Sequence, residues 1–574
     1  MEWNFLPFDP HRAGPLAKEL DLPPLMAQLL INRGFYQGDQ ALDFFSPSLL
    51  RLPPPHLMKD MDKAVNRLLK AIQQREHIAV FGDYDADGIT ATALLVHFLR
   101  PYFPDIRYYI PHRVQEGYGL SLSGITALKD QGVSLLITVD CGISNHQELE
   151  FAGTLGLEAI VTDHHQISKK GSPPAVAVLN PKQEGCAFPF KELAGVGVAF
   201  YLIIALRQAL EHQGFFPNGK PNLRAYLDLV ALGTVADVVP LLGVNRILVR
   251  EGLEVMARSP HIGLAALKEV CGIQAGSAVS SFDVAFRLAP RLNALGRMQE
   301  AKGGVCLLTT EDVREARDLA RLMNQENGRR QTLEQLMLKE IDETLRSSLE
   351  TDRKKSLVLG SETWHRGILG LVASRLVERW LRPVFLFALE GETAHGSGRS
   401  MEGFNLFKGL ETLEEFLLGF GGHAAAAGAT LKIKDLPAFE QAFEALVKNS
   451  VPEEAFLPSI TLEGEIDFPG LGKDIAPYLP RLAPFGSKNP EPLLASRQAQ
   501  IKSLRIVGNT LGSSRGPGHL RLKLEQKGIV MDGIGFGLGN QVLTPGDWVD
   551  LAYTPFISEY GSTPRLELRI KDIK

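Results

Sequence analysis

Between residues 77 and 162, short apolar runs alternate with amphipathic stretches. Residues 77–81, 135–139 and 159–162 are apolar and too short for helices, which predicts buried strands, while 90–100 has helical spacing. Strands separated by helices predict stacked βα units around a largely parallel sheet. Ahead of them, residues 1–75 predict a helical lead-in, where Leu29-Leu30-Ile31-Asn32-Arg33-Gly34 reads as a helix end with a glycine cap and Pro53-Pro54-Pro55 breaks the chain. The apolar run 193–206 has 14 residues, short of the roughly 20 that span a bilayer, and predicts a buried helix. Residues 310–350 are highly charged and free of proline, with Leu319, Leu322, Leu333, Leu336 and Ile341 at near-helical spacing, which predicts a helix connecting two lobes. A second α/β region follows, with strands expected at 356–359 and 384–387, and it ends in the glycine-rich stretch 419–428. After about Pro452, short β-like runs at 504–507, 520–524 and 566–570, broken by Gly and Pro, predict a small β-barrel or sandwich.

The acids fall where these strands end. Phe81 is followed by Asp83, Asp85 and Asp87, Val139 by Asp140, and Thr162 by Asp163, His164 and His165; Asp237 lies beyond the apolar stretch 229–236. The carboxyl ends of strands in an open α/β sheet line its ligand crevice, so these clusters should converge. Three aspartates in one glycine-flanked turn repel each other unless a cation neutralises them. Carboxylates suit magnesium or manganese, and the imidazoles tilt the preference toward manganese or another transition metal. Standing alone, the turn would read as a solvated Asx turn; the acids after the other strands argue for a site. Asp163 is placed to accept from an imidazole N–H and so orient a ring.

Composition changes the picture little. A chain of 574 residues exceeds one hydrophobic core and predicts about three domains. With 45% hydrophobic and 22% charged residues and a mean hydropathy of -0.01, it reads as an ordinary globular protein. Cys141, Cys186, Cys271 and Cys306 are far apart, so neither a disulfide framework nor a zinc knuckle is expected, and a reducing cytoplasm fits. The N-terminus shows no secretory pattern, and no membrane segment is expected. A net charge of -5 argues against a protein that coats nucleic acid, although one basic groove is compatible with it.

The ordered motifs Gly82-Asp83-Tyr84-Asp85-Ala86-Asp87-Gly88, Val139-Asp140-Cys141-Gly142, Asp163-His164-His165 and Gly233-Thr234-Val235-Ala236-Asp237 resemble the DHH phosphoesterase superfamily. Gly421-Gly422-His423-Ala424-Ala425-Ala426-Ala427-Gly428 resembles the glycine-rich motif of the associated DHHA1 domain. Pro290-Arg291-Leu292-Asn293-Ala294-Leu295-Gly296-Arg297, Trp364-His365-Arg366-Gly367, Gly396-Ser397-Gly398-Arg399-Ser400 and Pro484-Phe485-Gly486-Ser487-Lys488-Asn489-Pro490 extend the similarity over nearly the whole chain, toward the RecJ family of bacterial single-strand-specific DNA exonucleases.

That resemblance implies an α/β protein with two α/β lobes, DHH and DHHA1, joined by a long helix around a cleft, plus a C-terminal OB-fold barrel. The expected boundaries are 1–75 for the lead-in, 76–309 for the DHH domain, 310–350 for the connecting helix, 351–452 for DHHA1 and 453–574 for the OB-fold. It implies hydrolysis of single-stranded DNA from the 5' end to 5'-mononucleotides, in DNA repair and recombination. Two manganese ions, or magnesium, about 3.5–4 Å apart would hold the scissile phosphate and activate water. The implied ligands are Asp83, Asp85, Asp87, Asp140, His164 and Asp237, with Asp140 bridging. Asp85, Asp140, His164 and His165 would carry catalysis, with His165 on the phosphate. Many DHH proteins open the first motif with histidine; this chain has Phe81 and Gly82 there, and Asp83 is expected to compensate. Ser397 and Arg399, with Arg291 or Arg297, would bind the 5' phosphate, since a guanidinium fork suits phosphate oxygens. Gly422 and His423 would meet the substrate, while Trp364 reads as packing. Lys502, Arg505, Arg515, His519, Arg521 and Lys523 would make the OB-fold basic; Trp548, Tyr553 and Phe556 could stack bases, but each is expected in the barrel core. A monomer served by a single-strand-binding protein and a helicase is expected. The rival readings are a DHH phosphodiesterase acting on oligonucleotides or small nucleotides, a non-catalytic strand-binding replication factor, and a two-lobed pyrophosphatase.

Overall fold

A computed structural model of the protein describes every residue except 114, 169, 218, 260, 299, 348–353, 509–517 and 559–563. The chain forms two compact units.

The larger unit comprises Pro53–Asp237 and Glu251–Pro458. Its first lobe is built on a five-stranded parallel sheet in the order Arg107–Tyr109, Ile78–Gly82, Leu135–Val139, Glu158–Thr162, Ala177–Leu179. The strands expected at 77–81, 135–139 and 159–162 are thus present. Two short ones were not anticipated: Arg-Tyr-Tyr carries too little aliphatic character to announce a strand, and Ala-Val-Leu is too brief. The central strand Leu135–Val139 is buried along its whole length, as a parallel strand covered on both faces must be. Helices Ala86–Leu99 and Gly195–His212 pack on the sheet, the second confirming the buried helix expected from 193–206. The apolar stretch before Asp237 is a helix, Leu227–Ala236, with Asp237 at its C-cap.

At the amino ends of the strands, charges pair off. Arg67 donates to Glu158 at 2.8 Å and to Glu76 at 3.1 and 2.7 Å, and Ser134 donates to Glu76 at 2.9 Å. Burial pushes the Glu76 carboxyl up, but the bonds from Arg67 and Ser134 outweigh it and hold the group below its ordinary value.

Helix Val313–Ser347 connects the lobes. Its buried stripe is not the leucine row that periodicity picks out, because Leu322 and Leu336 face solvent. Inward instead lie Ala316, Ala320, Met323, Asn327, Arg330, Glu334, Met337 and Ile341, so polar residues occupy the middle of the covered face. The end of the expected segment, 348–350, lies outside the described residues.

The second lobe has a mixed sheet in the order Gly419–Gly422, Ala426–Lys432, Thr393–Arg399, Val384–Glu390, Leu357–Ser361. Phe385 and Phe387 stack with centroids 4.9 Å apart, and Phe439 and Phe443 close the core over them. Trp364 packs as expected, buried with its Nε1 donating to Glu340 at 3.0 Å.

The smaller unit combines Met1–Leu52, Val238–Arg250 and Ser459–Lys574. Strands Leu494–Val507, His519–Gln526, Ile529–Gly535, Arg565–Ile573 and Trp548–Ser558 close into a barrel, since the first also pairs with the last. Helices Pro10–Leu20 and Pro24–Asn32 share the barrel's hydrophobic core, and the strand Glu2–Phe5 pairs in parallel with Ser459–Leu462, so the lead-in is not helix alone. Arg246 is fully buried and donates to the carbonyls of Phe44, Arg481, Leu482 and Ala483. Of the three aromatics expected in the barrel core, only Tyr553 is there, 2.7 Å from Ser496 Oγ. Trp548 is 66% exposed, and Phe556 is half-buried beneath Arg569, because both sit at outward-facing positions of their strand. Arg515 lies outside the described residues.

Candidate functional site

The carboxyl ends of the parallel strands bring the acids together. Asp83 follows strand Ile78–Gly82, and Asp85 caps helix Ala86–Leu99 by accepting from the amides of Asp87 and Gly88 at 2.9 and 3.2 Å. Asp87, in the first helical turn, accepts from the amides of Gly195 and Val196 at 2.6 and 2.9 Å, the N-terminus of helix Gly195–His212. The amide dipoles there favour an anion. Asp140 follows strand Leu135–Val139 with φ 59, a left-handed conformation that costs a non-glycine residue about 1–3 kcal/mol and clusters at functional sites. Gly195 is required beside it, since a Cβ there would lie 2.7 Å from the Asp140 side chain.

His164 and His165 follow strand Glu158–Thr162. Asp163 is fully buried and accepts from both histidine amides, from the Ile143 amide and from His165 Nδ1 at 2.8 Å, so it orients His165 rather than His164. His164 Nε2 points at the carboxylates, 3.2 Å from Asp140 Oδ1 and 3.5 Å from Asp237 Oδ2.

Three overlapping groups bring their ligand atoms within 4.8 Å of one another: Asp83 with Asp85 and Asp140; Asp87 with His164 and Asp237; and Asp140 with His164 and His165. Asp83 Oδ1, Asp140 Oδ1, His164 Nε2 and Asp237 Oδ2 are buried without a hydrogen-bond partner. Burial, then the charge of neighbouring aspartates, drives Asp83, Asp140 and Asp237 well above the carboxylate range and Asp87 to about 7. Burial pushes His164 down to about 3, leaving a neutral imidazole of the kind metals bind. For His165, burial is outweighed by Asp163, and its pKa rises. Buried carboxylates that repel one another, with partnerless ligand atoms gathered in overlapping groups, fit a divalent-cation site. Asp83, Asp85, Asp87, Asp140, His164 and Asp237 can all supply ligands to it.

A cationic group adjoins the acids. On strand Thr393–Arg399 the glycines 396 and 398 face the Phe385 and Phe387 rings, where a Cβ would come within 2.3–2.5 Å, so Ser397 and Arg399 share the opposite face. That face looks onto Gly370, near the start of helix Leu369–Trp380, where a Cβ would lie 2.6 Å from the Arg399 guanidinium. Arg297 donates to the Gly367 carbonyl at 3.1 Å. Burial and the charges of Arg113, Arg330 and Arg399 depress its pKa. Arg291 is turned elsewhere, to Asn324 and the Arg287 carbonyl. A pocket of about 450 Å³ is lined by Arg113, Arg366, Ser397, Phe420 and Gly421 among others. Gly422 and His423 are exposed at the end of strand Gly419–Gly422.

Reading by residue type missed three contributors. Arg113 stacks on Tyr84, Tyr118 donates to the Asp140 carbonyl and lies 3.0 Å from His165 Nδ1, and Asn293 accepts from the Ala86 amide at 2.8 Å. The first two follow the unanticipated strand Arg107–Tyr109; the rule that strand ends carry the site would have found them.

Residues 77–234 match the DHH family N-terminal domain, 353–449 the DHHA1 domain and 462–572 the RecJ OB domain. The single-stranded-DNA-specific exonuclease RecJ of Salmonella typhimurium is 38% identical over 571 residues, 96% of either chain. This chain belongs to the RecJ family. Two crystal structures of RecJ from Thermus thermophilus superpose on all of it and on 79% and 78% of their own chains. The complex with Mn2+ gives a TM-score of 0.83 at 33% identity, and that with Mg2+ 0.77 at 31%. The architecture is two α/β lobes, a connecting helix and a closed OB barrel, and the enzyme class is metal-dependent hydrolase.

Proposed function

We propose that the chain is a single-strand-specific DNA exonuclease that works from the 5' end, releases 5'-mononucleotides and serves DNA repair and recombination. The observation that carries this reading is the juxtaposition of four buried, partnerless ligand atoms with the cationic cluster of Arg113, Arg297 and Arg399. Two divalent ions, manganese or magnesium, held by Asp83, Asp85, Asp87, Asp140, His164 and Asp237, would supply Lewis acidity at the phosphate and lower the pKa of water. Asp140 belongs to two of the three groups, one with Asp83 and Asp85 and one with His164 and His165, and would hold metal together with either. His165, held by Asp163 and carrying a raised pKa, donates to a non-bridging phosphate oxygen. Arg297, Arg399 and Ser397 bind the terminal 5' phosphate, and the open glycine backbone around Gly422 and His423 lets the strand approach closely.

The barrel adds affinity for the strand. Exposed Arg505 and Arg521 are direct cross-strand partners, an arrangement that repels unless an anion such as a phosphate lies over it. Strand ends are made by unwinding, so a helicase and a single-strand-binding protein are the partners this substrate calls for, and the enzyme acts as a monomer. Four free cysteines suit a reducing cytoplasm, and among the described residues no helix is long and apolar enough to cross a membrane.

The test is digestion of 5'-phosphorylated and 5'-blocked single strands with manganese, by the wild type and Asp140→Ala. Mononucleotides should come from the phosphorylated 5' end, and the variant should be inert. Release from the 3' end, or activity persisting in the variant, would overturn the proposal.

A further inference from the structure

Residues Ser281–Asp283, Val284–Leu288 and Ala289–Met298 form one continuous helical run with a π turn in its middle. One side, Ser281, Val284, Leu288, Leu292 and Leu295, is buried. The opposite row is Phe282, Phe286, Pro290, Asn293 and Arg297, spaced three or four residues apart and so aligned on one face. The far end of that row is in the site, where Asn293 holds the Ala86 amide and Arg297 holds the Gly367 carbonyl. The near end is a pair of phenylalanines, 59% and 67% exposed, with ring centroids 4.6 Å apart and planes inclined by 34°. At a rise of 1.5 Å per residue, Phe286 lies about 10 Å from Asn293 and about 16 Å from Arg297 along the helix.

We propose that Phe282 and Phe286 are a stacking platform for unpaired bases of the strand, on the 3' side of the terminal nucleotide being removed. The proposal rests on the single-strand reading above. Two adjacent solvent-exposed rings leave apolar surface uncovered, and every base has a π face that can cover it without regard to sequence. Continuity decides for a nucleic acid over a protein partner: the same helical face runs from the rings to the side chains that adjoin the acids. Arg287, beside the row, is paired with Asp283 at 2.8 Å, so the surface the rings present is apolar rather than charged. The platform would let the enzyme grip a strand by its bases while the metal centre acts on its end, and would raise affinity without touching the reacting phosphate.

The test compares wild type with Phe282→Ala/Phe286→Ala, and with Phe282→Leu/Phe286→Leu, which keeps apolar bulk but removes the rings. The substrates are a 5'-phosphorylated single strand and the same strand made abasic beyond its 5' end. With the normal strand, both variants should raise KM about tenfold or more, as expected for losing a stacked base, while kcat changes less than about twofold. With the abasic strand, wild type and variants should have the same KM. Unchanged KM on the normal strand overturns the proposal. So does an equal loss on both strands, which would mark a structural role instead. A wild type that digests neither strand would overturn the single-strand reading itself, a separate failure.

Discussion

The two ends of the first lobe's parallel sheet gather charged side chains to opposite effect. At the amino ends, Arg67, Glu76, Glu158 and Ser134 pair off, and Glu76 is held below its ordinary pKa. At the carboxyl ends, Asp83, Asp140 and Asp237 are driven far above theirs, and four ligand atoms have no partner. One end is arranged for stability; the other stores repulsion that a cation relieves. The carboxylates raised furthest and left with a partnerless oxygen lie at the candidate site, whereas Glu76, fully paired, lies at the opposite end.

Each prediction tests that contrast. The largest effect should come from Asp140→Asn, which removes one charge at nearly constant shape. Hydrolysis of single strands should fall about a thousandfold or more, while the metal-free protein should melt no lower than wild type; a lower melting temperature would mean that Asp140 is structural. Next comes the cation itself. Manganese at about a hundred times its Kd should stabilise the wild type by about 2.7 kcal/mol, read as a rise in melting temperature that EDTA reverses and Asp140→Asn weakens. At the other end, Arg67→Met should cost about 2 kcal/mol by leaving charged hydrogen bonds unmade, with kcat per folded molecule unchanged.

Smallest is a pH effect. Because Glu76 has a lowered folded pKa, its contribution is present above the unfolded value of about 4.3 and fades as pH falls through the folded value. Glu76→Gln should therefore destabilise by about 1 kcal/mol at neutral pH. In acid, below the folded pKa of Glu76, the two proteins should melt together; a gap that persists there would mean that the ion pair is not its source.

How much of this could be read from the chain varied with the type of signal. The Asp-rich turn, Asp140 and the histidines were legible because each follows a short aliphatic run, and such runs become parallel strands with crevice-facing ends. Arg113 and Tyr118 were not, since the strand before them is Arg-Tyr-Tyr. Asp237 was found as an acid but on the end of a helix. Leu322 and Leu336 misled because the face of helix Val313–Ser347 that packs inward carries Asn327, Arg330 and Glu334, and apolar spacing is blind to a buried polar stripe. Nothing local in residues 1–52 or 238–250 announces that they share a core with the barrel, because that link is made between residues hundreds of positions apart.

That last feature bears on how the molecule is made. Strand Glu2–Phe5 pairs with Ser459–Leu462, more than 450 residues later. At about 5–20 residues per second, roughly 20–90 s of synthesis separate the two. Throughout that interval Leu29, Leu30, Phe44 and their neighbours leave the ribosome without the barrel side chains that bury them. Residues 1–52 are thus among the last parts to reach their native packing, and their apolar side chains stay uncovered by the barrel while translation continues.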